Sequence, residues 1–285
     1  MLRIGLSSCG YPLNEQSFEG LKNSGITDIE VVVDYGKYEH TDFGRVGSLA
    51  KEYGIGLWSF HLPFCSPDHH DISSTDPQMK RISVERCAEY IKKGSDIGID
   101  KFVIHPSSEP VSLDPVVRAE HIKNSMDSLD FLANLAYSCG ATIAVETLPR
   151  SCLGRNSEEM ITLLGANDKL RICLDVNHLL IEKHSDFIDR LGSKIITLHI
   201  SDYDFLNERH WLPGEGDNDW YSLYRKLLDA GYSGVWMYEV RLACPDTIVR
   251  ERDLRFDDFY RNAHEIFENR PITVLGKRKE GLGKA

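Results

Sequence analysis

The sequence predicts a single (β/α)8 TIM barrel, an α/β fold whose active site lies at the C-terminal ends of the strands. Short, apolar, β-rich runs alternate with longer segments of helical period from one end of the chain to the other. They amount to eight strands and about eight helices, with no Pro/Gly/Ser-rich linker to divide them. A doubly wound open sheet would want a glycine-rich phosphate turn after the first strand, and "LSSCGYPLNE" carries only one glycine.

The strands are expected at 3–8, 28–33, 56–61, 101–105, 142–146, 171–175, 195–199 and 235–239. Helices are clearest where their ends are marked. Asp114 followed by Pro115 is an N-cap with proline at the first helical position. From there Ile122, Met126, Leu129, Leu132 and Ala136 recur every three or four residues until Gly140 stops the run. Asn156 with Glu159 reads as a capping box opening the next helix. "WYSLYRKLLDAGY" and "DLRFDDFYRNAHEIFENR" supply the last two helices. The barrel thus spans residues 1–270, and 271–285 form a basic, glycine-containing tail expected to be loose.

Composition excludes several classes. Apolar runs are a handful of residues long, far short of a membrane span. The opening "MLRIGLSS" enters a strand pattern at once and leaves no room for a signal peptide. A net charge of −11 argues against a general electrostatic grip on nucleic acid. The seven cysteines, at 9, 65, 87, 139, 152, 173 and 244, are scattered with no Cys-x-x-Cys pair, which suits a reducing, cytoplasmic compartment.

The strand ends carry the chemistry. Strands three to eight finish on His61, His105, Glu146, Asp175, His199 and Glu239. One strand ending in a charged residue is unremarkable, but strands of one barrel end in one ring, so these six converge. Carboxylates crowded into a partly dry mouth repel one another unless a cation holds them. Imidazole with carboxylate suits one divalent ion such as Mn, Co, Zn, Fe or Mg. Glu146, Asp175, His199 and Glu239 are the metal candidates; the competing explanation is a salt-bridged mouth without metal. His61 and His105 either join a metal or hydrogen-bond substrate. His178, three residues past Asp175, reaches the same pocket, and "ERHWLPGEGDNDW" places Glu208 and His210 on the long seventh βα loop above it. Glu208 is either a ligand or a solvated carboxylate. Trp58 and Phe64 read as packing, whereas Trp211 leans toward the site. His69 and His70 read as solvated loop residues, and His121, His184 and His264 fall on helices without a role.

"FHLPF", "FVIHPSS", "VETLPR", "CLDVNH", "LHISD", "RHWLPGEG" and "YEVR", in that order, resemble the xylose-isomerase-like TIM-barrel superfamily. That superfamily contains sugar phosphate isomerases and epimerases and the apurinic endonucleases of family 2. The resemblance implies, for the epimerase branch, one metal on Glu146, Asp175, His199 and Glu239, with Glu146 and Glu239 also carrying protons. A ketose, polyol or sugar phosphate would lose a proton beside its carbonyl to one glutamate, through a metal-stabilised enediolate. Reprotonation on the other face gives epimerisation, on another carbon isomerisation, and loss of a β-hydroxyl dehydration, as in a polyol dehydratase. His178 would hydrogen-bond substrate, and Arg150, Arg155 and Arg209 could steer an anionic group. The endonuclease branch implies three zinc ions and phosphodiester hydrolysis. All nine of its ligand positions are filled here, by His61, His105, Glu146, Asp175, His178, His199, Glu208, His210 and Glu239, with Glu208 where that branch expects Asp. Against it, the site loops show no basic, aromatic-interleaved stretch, and carbohydrate chemistry is preferred. A barrel that binds a polyol without turnover is the non-enzymatic reading. Barrels of this type often form homodimers, though no stretch locates an interface.

Overall fold

Eight parallel strands follow one another around a ring in chain order. They are β1 (Arg3–Ser7), β2 (Asp28–Val31), β3 (Gly56–His61), β4 (Lys101–Ile104), β5 (Thr142–Glu146), β6 (Arg171–Asp175), β7 (Ile195–His199) and β8 (Val235–Tyr238). The computed structural model describes residues 1–34, 36–64, 66 and 68–283. Neighbours pair in sequence from β7 back to β1, and β1 pairs with β8. A parallel bridge between Ile200 and Tyr238 closes the circle, with Ile200 donating to Met237 O at 2.8 Å. Most strand residues are buried on both faces, which is why the runs are continuously apolar rather than alternating.

Helices α1 (Glu15–Ser24), α2 (Phe43–Tyr53), α3 (Pro77–Asp96), α4 (Pro115–Ser138), α5 (Ser157–Leu164), α6 (His184–Leu191), α7 (Trp220–Asp229) and α8 (Phe256–Phe267) separate the strands. Their caps follow the sequence signals. Asp114 accepts from the amides of Val116 and Val117 at the start of α4, and Gly140 takes a left-handed φ of 75° just past its end. At α5 the box is half made. Asn156 accepts from the Glu159 amide, but the Glu159 carboxylate is taken by Arg118 and the Gly154 amide instead.

Strands β1, β2, β4 and β8 stop earlier than expected, so His105 and Glu239 lie one residue beyond their strands. The tail also differs from expectation. β10 (Gly276–Arg278) pairs antiparallel with β9 (Ile248–Arg250), and Ile272 and Leu275 pack on the core. These half-buried apolar side chains and the strand pairing tie the segment down despite its basic end. Arg250 and Glu215, almost wholly buried and 2.7 Å apart, join β9 to the loop after β7.

Candidate metal centre

The register of the barrel sets the site. Asp175 and His199 are register partners across β6 and β7, and Glu146 faces Cys173 across β5 and β6. With Glu239 just past β8, these four offer donor atoms that all lie within 4.8 Å of one another. His199 Nδ1 is their hub: Glu146 Oε1 stands 3.0 Å away, Glu239 Oε2 3.4 Å and Asp175 Oδ2 3.8 Å. Asp175 Oδ2 and Glu239 Oε2 are buried and have no hydrogen-bond partner in the structure. Buried carboxylate oxygens left in that state are costly, and a divalent cation among them would satisfy both. The donor set of three carboxylates and one imidazole fits such an ion.

Two flanking clusters complete the mouth. His61 Nε2 and His105 Nε2 each lie 3.1 Å from Glu146 Oε2, and His61 directs its other nitrogen at Leu62 O, 2.9 Å away. His178 and His210 face Glu208 Oε1 at 3.5 and 2.8 Å, while their other nitrogens bond Thr147 O and Glu239 O. Each of these groups could hold an ion, Glu146 being shared between the first and the central one.

Burial and neighbouring charges set how the site's charges balance. Burial works to raise Glu146, yet His199 and His105 hold it well below the usual carboxylate range. Burial pushes Asp175 up to about 7, against His178 and with Glu239 adding. Burial lowers His178 and His210, but Asp175 and Glu208 lift the first to about 10, and Glu208 and Glu239 lift the second to about 9. His61 is likewise raised, burial being outweighed by Glu146. His105 is lowered because burial dominates there. Protons on imidazoles thus supply the positive charge that the carboxylates require.

His61, His105, Glu146, His178, Glu208, Arg209, His210 and Glu239 line one cavity of about 350 Å³, whereas Asp175 and His199 lie beneath it, fully buried. Phe64 lines it too, its ring 4.6 Å from that of His61. Three weaker candidates do not line it. Arg150 is turned away by a bidentate pair to Glu109 and a contact to Glu208 at 2.9 Å. Arg155 stands behind it, its guanidinium near Arg150 O and Glu159. Trp211 is fully buried, its indole donating to Thr247 Oγ1, because its apolar area is drawn into the core. Arg209 reaches the rim with its guanidinium held by Asp204 and Gly283 O. Arg150 and His210 both have φ of 52°, a left-handed conformation that costs a non-glycine residue about 1–3 kcal/mol and is typical of functional loops.

Glu30 is the residue that sequence reasoning passed over. Fully buried on β2, it meets His199 Nε2 at 3.0 Å and accepts from Ser7 and Ser59. A carboxylate in the middle of "DIEVVV" was its signal. His70 also departs from expectation, being buried rather than solvated.

A parallel eight-stranded barrel with a buried carboxylate–imidazole tetrad at its strand ends defines a TIM barrel with a candidate metal centre. Residues 18–256 match the family described as xylose isomerase-like TIM barrel, and the chain belongs to that family. Fructoselysine 3-epimerase of Escherichia coli O157:H7 is 35% identical over 282 residues, 90% of this chain and 100% of that protein. The fold is shared with a D-tagatose 3-epimerase-like protein (TM-score 0.78, 20% identity, covering 94% of this chain and 98% of that one). It is also shared with D-allulose 3-epimerase from Methylomonas sp. (TM-score 0.75, 20% identity, covering 95% and 97%).

Proposed function

We propose that this protein is a divalent-metal-dependent sugar epimerase acting on a ketose or ketose derivative. The observation that carries the reading is the tetrad around His199 Nδ1, with Asp175 Oδ2 and Glu239 Oε2 buried and unpartnered. The identity to fructoselysine 3-epimerase supports the substrate class. Glu146, Asp175, His199 and Glu239 would hold the ion. The cation, when bound, supplies Lewis-acid stabilisation of negative charge developing on substrate oxygens.

The chain's own residues do the rest. Glu146, kept ionised by its histidines, is suited to take a proton from the carbon beside the carbonyl. Glu239, also held below its ordinary range once His199 and His210 outweigh burial, stands on the far side of His199 from it in the ring. One carboxylate removes the proton and the other returns one to the opposite face, which inverts the carbon. His178 and His210 line the cavity and hydrogen-bond substrate oxygens. The six described cysteines are free, in keeping with a cytoplasmic location. Among the described residues no helix is long and apolar enough to cross a membrane.

A zinc phosphodiesterase with three ions is the second reading. It is favoured by one observation, the two flanking donor clusters. Incubation of metal-loaded protein with a ketose in D2O, followed by NMR, separates the readings. Epimer formation with deuterium at a single carbon is expected of the first; cleavage of abasic-site DNA with no exchange would replace it with the second.

A further inference from the structure

A second, larger cavity of about 720 Å³ opens beside the metal centre. It shares Cys9, Arg241 and Ala243 with the inner cavity, so the two adjoin at these residues. The inner 350 Å³ sits at the small end of the range for small-molecule sites, which run from about 300 to 1,000 Å³. That volume is the size of a monosaccharide-scale site, and the outer cavity lies beyond it. Near the junction the outer wall is partly apolar, built from Tyr11 and Leu13, both half-buried. Further out it is ionic. Lys37 pairs with Asp34 at 2.5 Å and Arg45 lies 3.7 Å from Glu15, both in exposed surroundings. Arg241, at the junction itself, has no ion-pair partner among the described residues.

We infer that the outer groove holds an amino-acid-sized substituent on the ketose, with an apolar stem along Tyr11 and Leu13 and an ionised end among Lys37, Arg45 and Asp34. This rests on the epimerase reading and narrows it: the substrate is a conjugated ketose rather than a free sugar. A free hexose offers nothing to the outer wall. A phosphate on the sugar would engage Arg241 and leave the apolar stretch and the distal pair empty. A stem with a carboxylate and an ammonium at its end complements each part, the cations facing the carboxylate and Asp34 the ammonium.

The test compares kcat and KM of Mn2+-loaded protein on fructoselysine, D-fructose and D-fructose 6-phosphate, for wild type and for Lys37→Ala/Arg45→Ala. Both substituted side chains are exposed, so folding is not at issue. Wild type should favour fructoselysine over D-fructose by about tenfold or more in kcat/KM, chiefly through KM, as expected of one or two charge-assisted contacts. The double variant should erase about tenfold of that preference by raising KM for the conjugate. In a second variant, Thr41→Trp, a bulky ring placed on the outer wall should do the same without touching charge. Equal turnover of D-fructose and fructoselysine, or a preference that neither variant moves, would overturn the groove assignment and leave the epimerase reading standing. A preference for D-fructose 6-phosphate over the conjugate would overturn it in favour of a phosphate at Arg241. Absence of turnover of every ketose would overturn both.

Discussion

Glu30 and His199 meet 3.0 Å apart at the floor of the barrel mouth, both wholly buried, with the Glu30 carboxylate facing Nε2 and leaving Nδ1 turned toward Glu146, Asp175 and Glu239. A carboxylate behind a ligating imidazole fixes its tautomer and orientation, and loss of such a partner typically lowers metal affinity about 10–100-fold. Glu30→Gln should therefore weaken Mn2+ or Co2+ binding by about that factor, read by isothermal titration. Unchanged affinity would mean that Glu30 is structural packing only.

On the proposed mechanism, Glu146→Gln removes a proton carrier while preserving shape. Turnover should fall about 10²–10⁴-fold, the usual contribution of a positioned acid or base, with thermal midpoint little changed. Measured kcat on the identified ketose and circular dichroism check the two halves. A variant as active as wild type would strip Glu146 of its role.

Glu208→Ala distinguishes one ion from three. With a single ion, His178 and His210 keep their bonds to Thr147 O and Glu239 O, and Arg150 keeps Glu109. Activity should then drop less than about tenfold, since each of the three groups that Glu208 contacts keeps another partner. Kinetics that collapse by orders of magnitude, with loss of bound zinc, would support the trinuclear reading.

Between about pH 5.5 and 9.5, Asp175, His178 and His210 should cost the metal-free protein stability as pH rises. Asp175 in the fold, at about 7, stands above its unfolded value of about 3.9, so its contribution is complete below about pH 4 and lost on ionisation toward 7. His178 and His210, at about 10 and 9, stand above the unfolded value of about 6.5. Their contribution is complete below about pH 6.5 and lost through 9 to 10. On the proposed function a divalent ion would replace those protons, so the gap in thermal midpoint between Mn2+-loaded and chelated protein should widen between pH 5.5 and 9.5. A gap that narrows with pH would contradict this.

Much of the architecture was legible because each parallel strand is an apolar run that stops on a polar residue. That pattern locates both the strand and the residue its end delivers to the mouth. Glu146, Asp175 and His199 came out this way with their strand ends correct to the residue. Glu30 did not, because "DIEVVVD" continues apolar beyond it and the strand end was set at Val33. Inward-facing alternation within β2, rather than the end of its apolar run, was the relevant signal. Trp211 shows the opposite failure: adjacency to His210 in sequence does not decide which way a side chain turns, and Thr247, 36 residues on, does. The packed tail depends on β9, a three-residue strand too short to be seen without its partner.

Elemental analysis of protein purified without added metal or chelating resin, alongside His199→Ala, tests the central claim most directly. About one divalent ion per chain is predicted for wild type and a clear loss in the variant. No bound metal, or a variant that binds as wild type does, would contradict a metal centre on the strand ends, and two or three zinc ions per chain would contradict the single-ion epimerase.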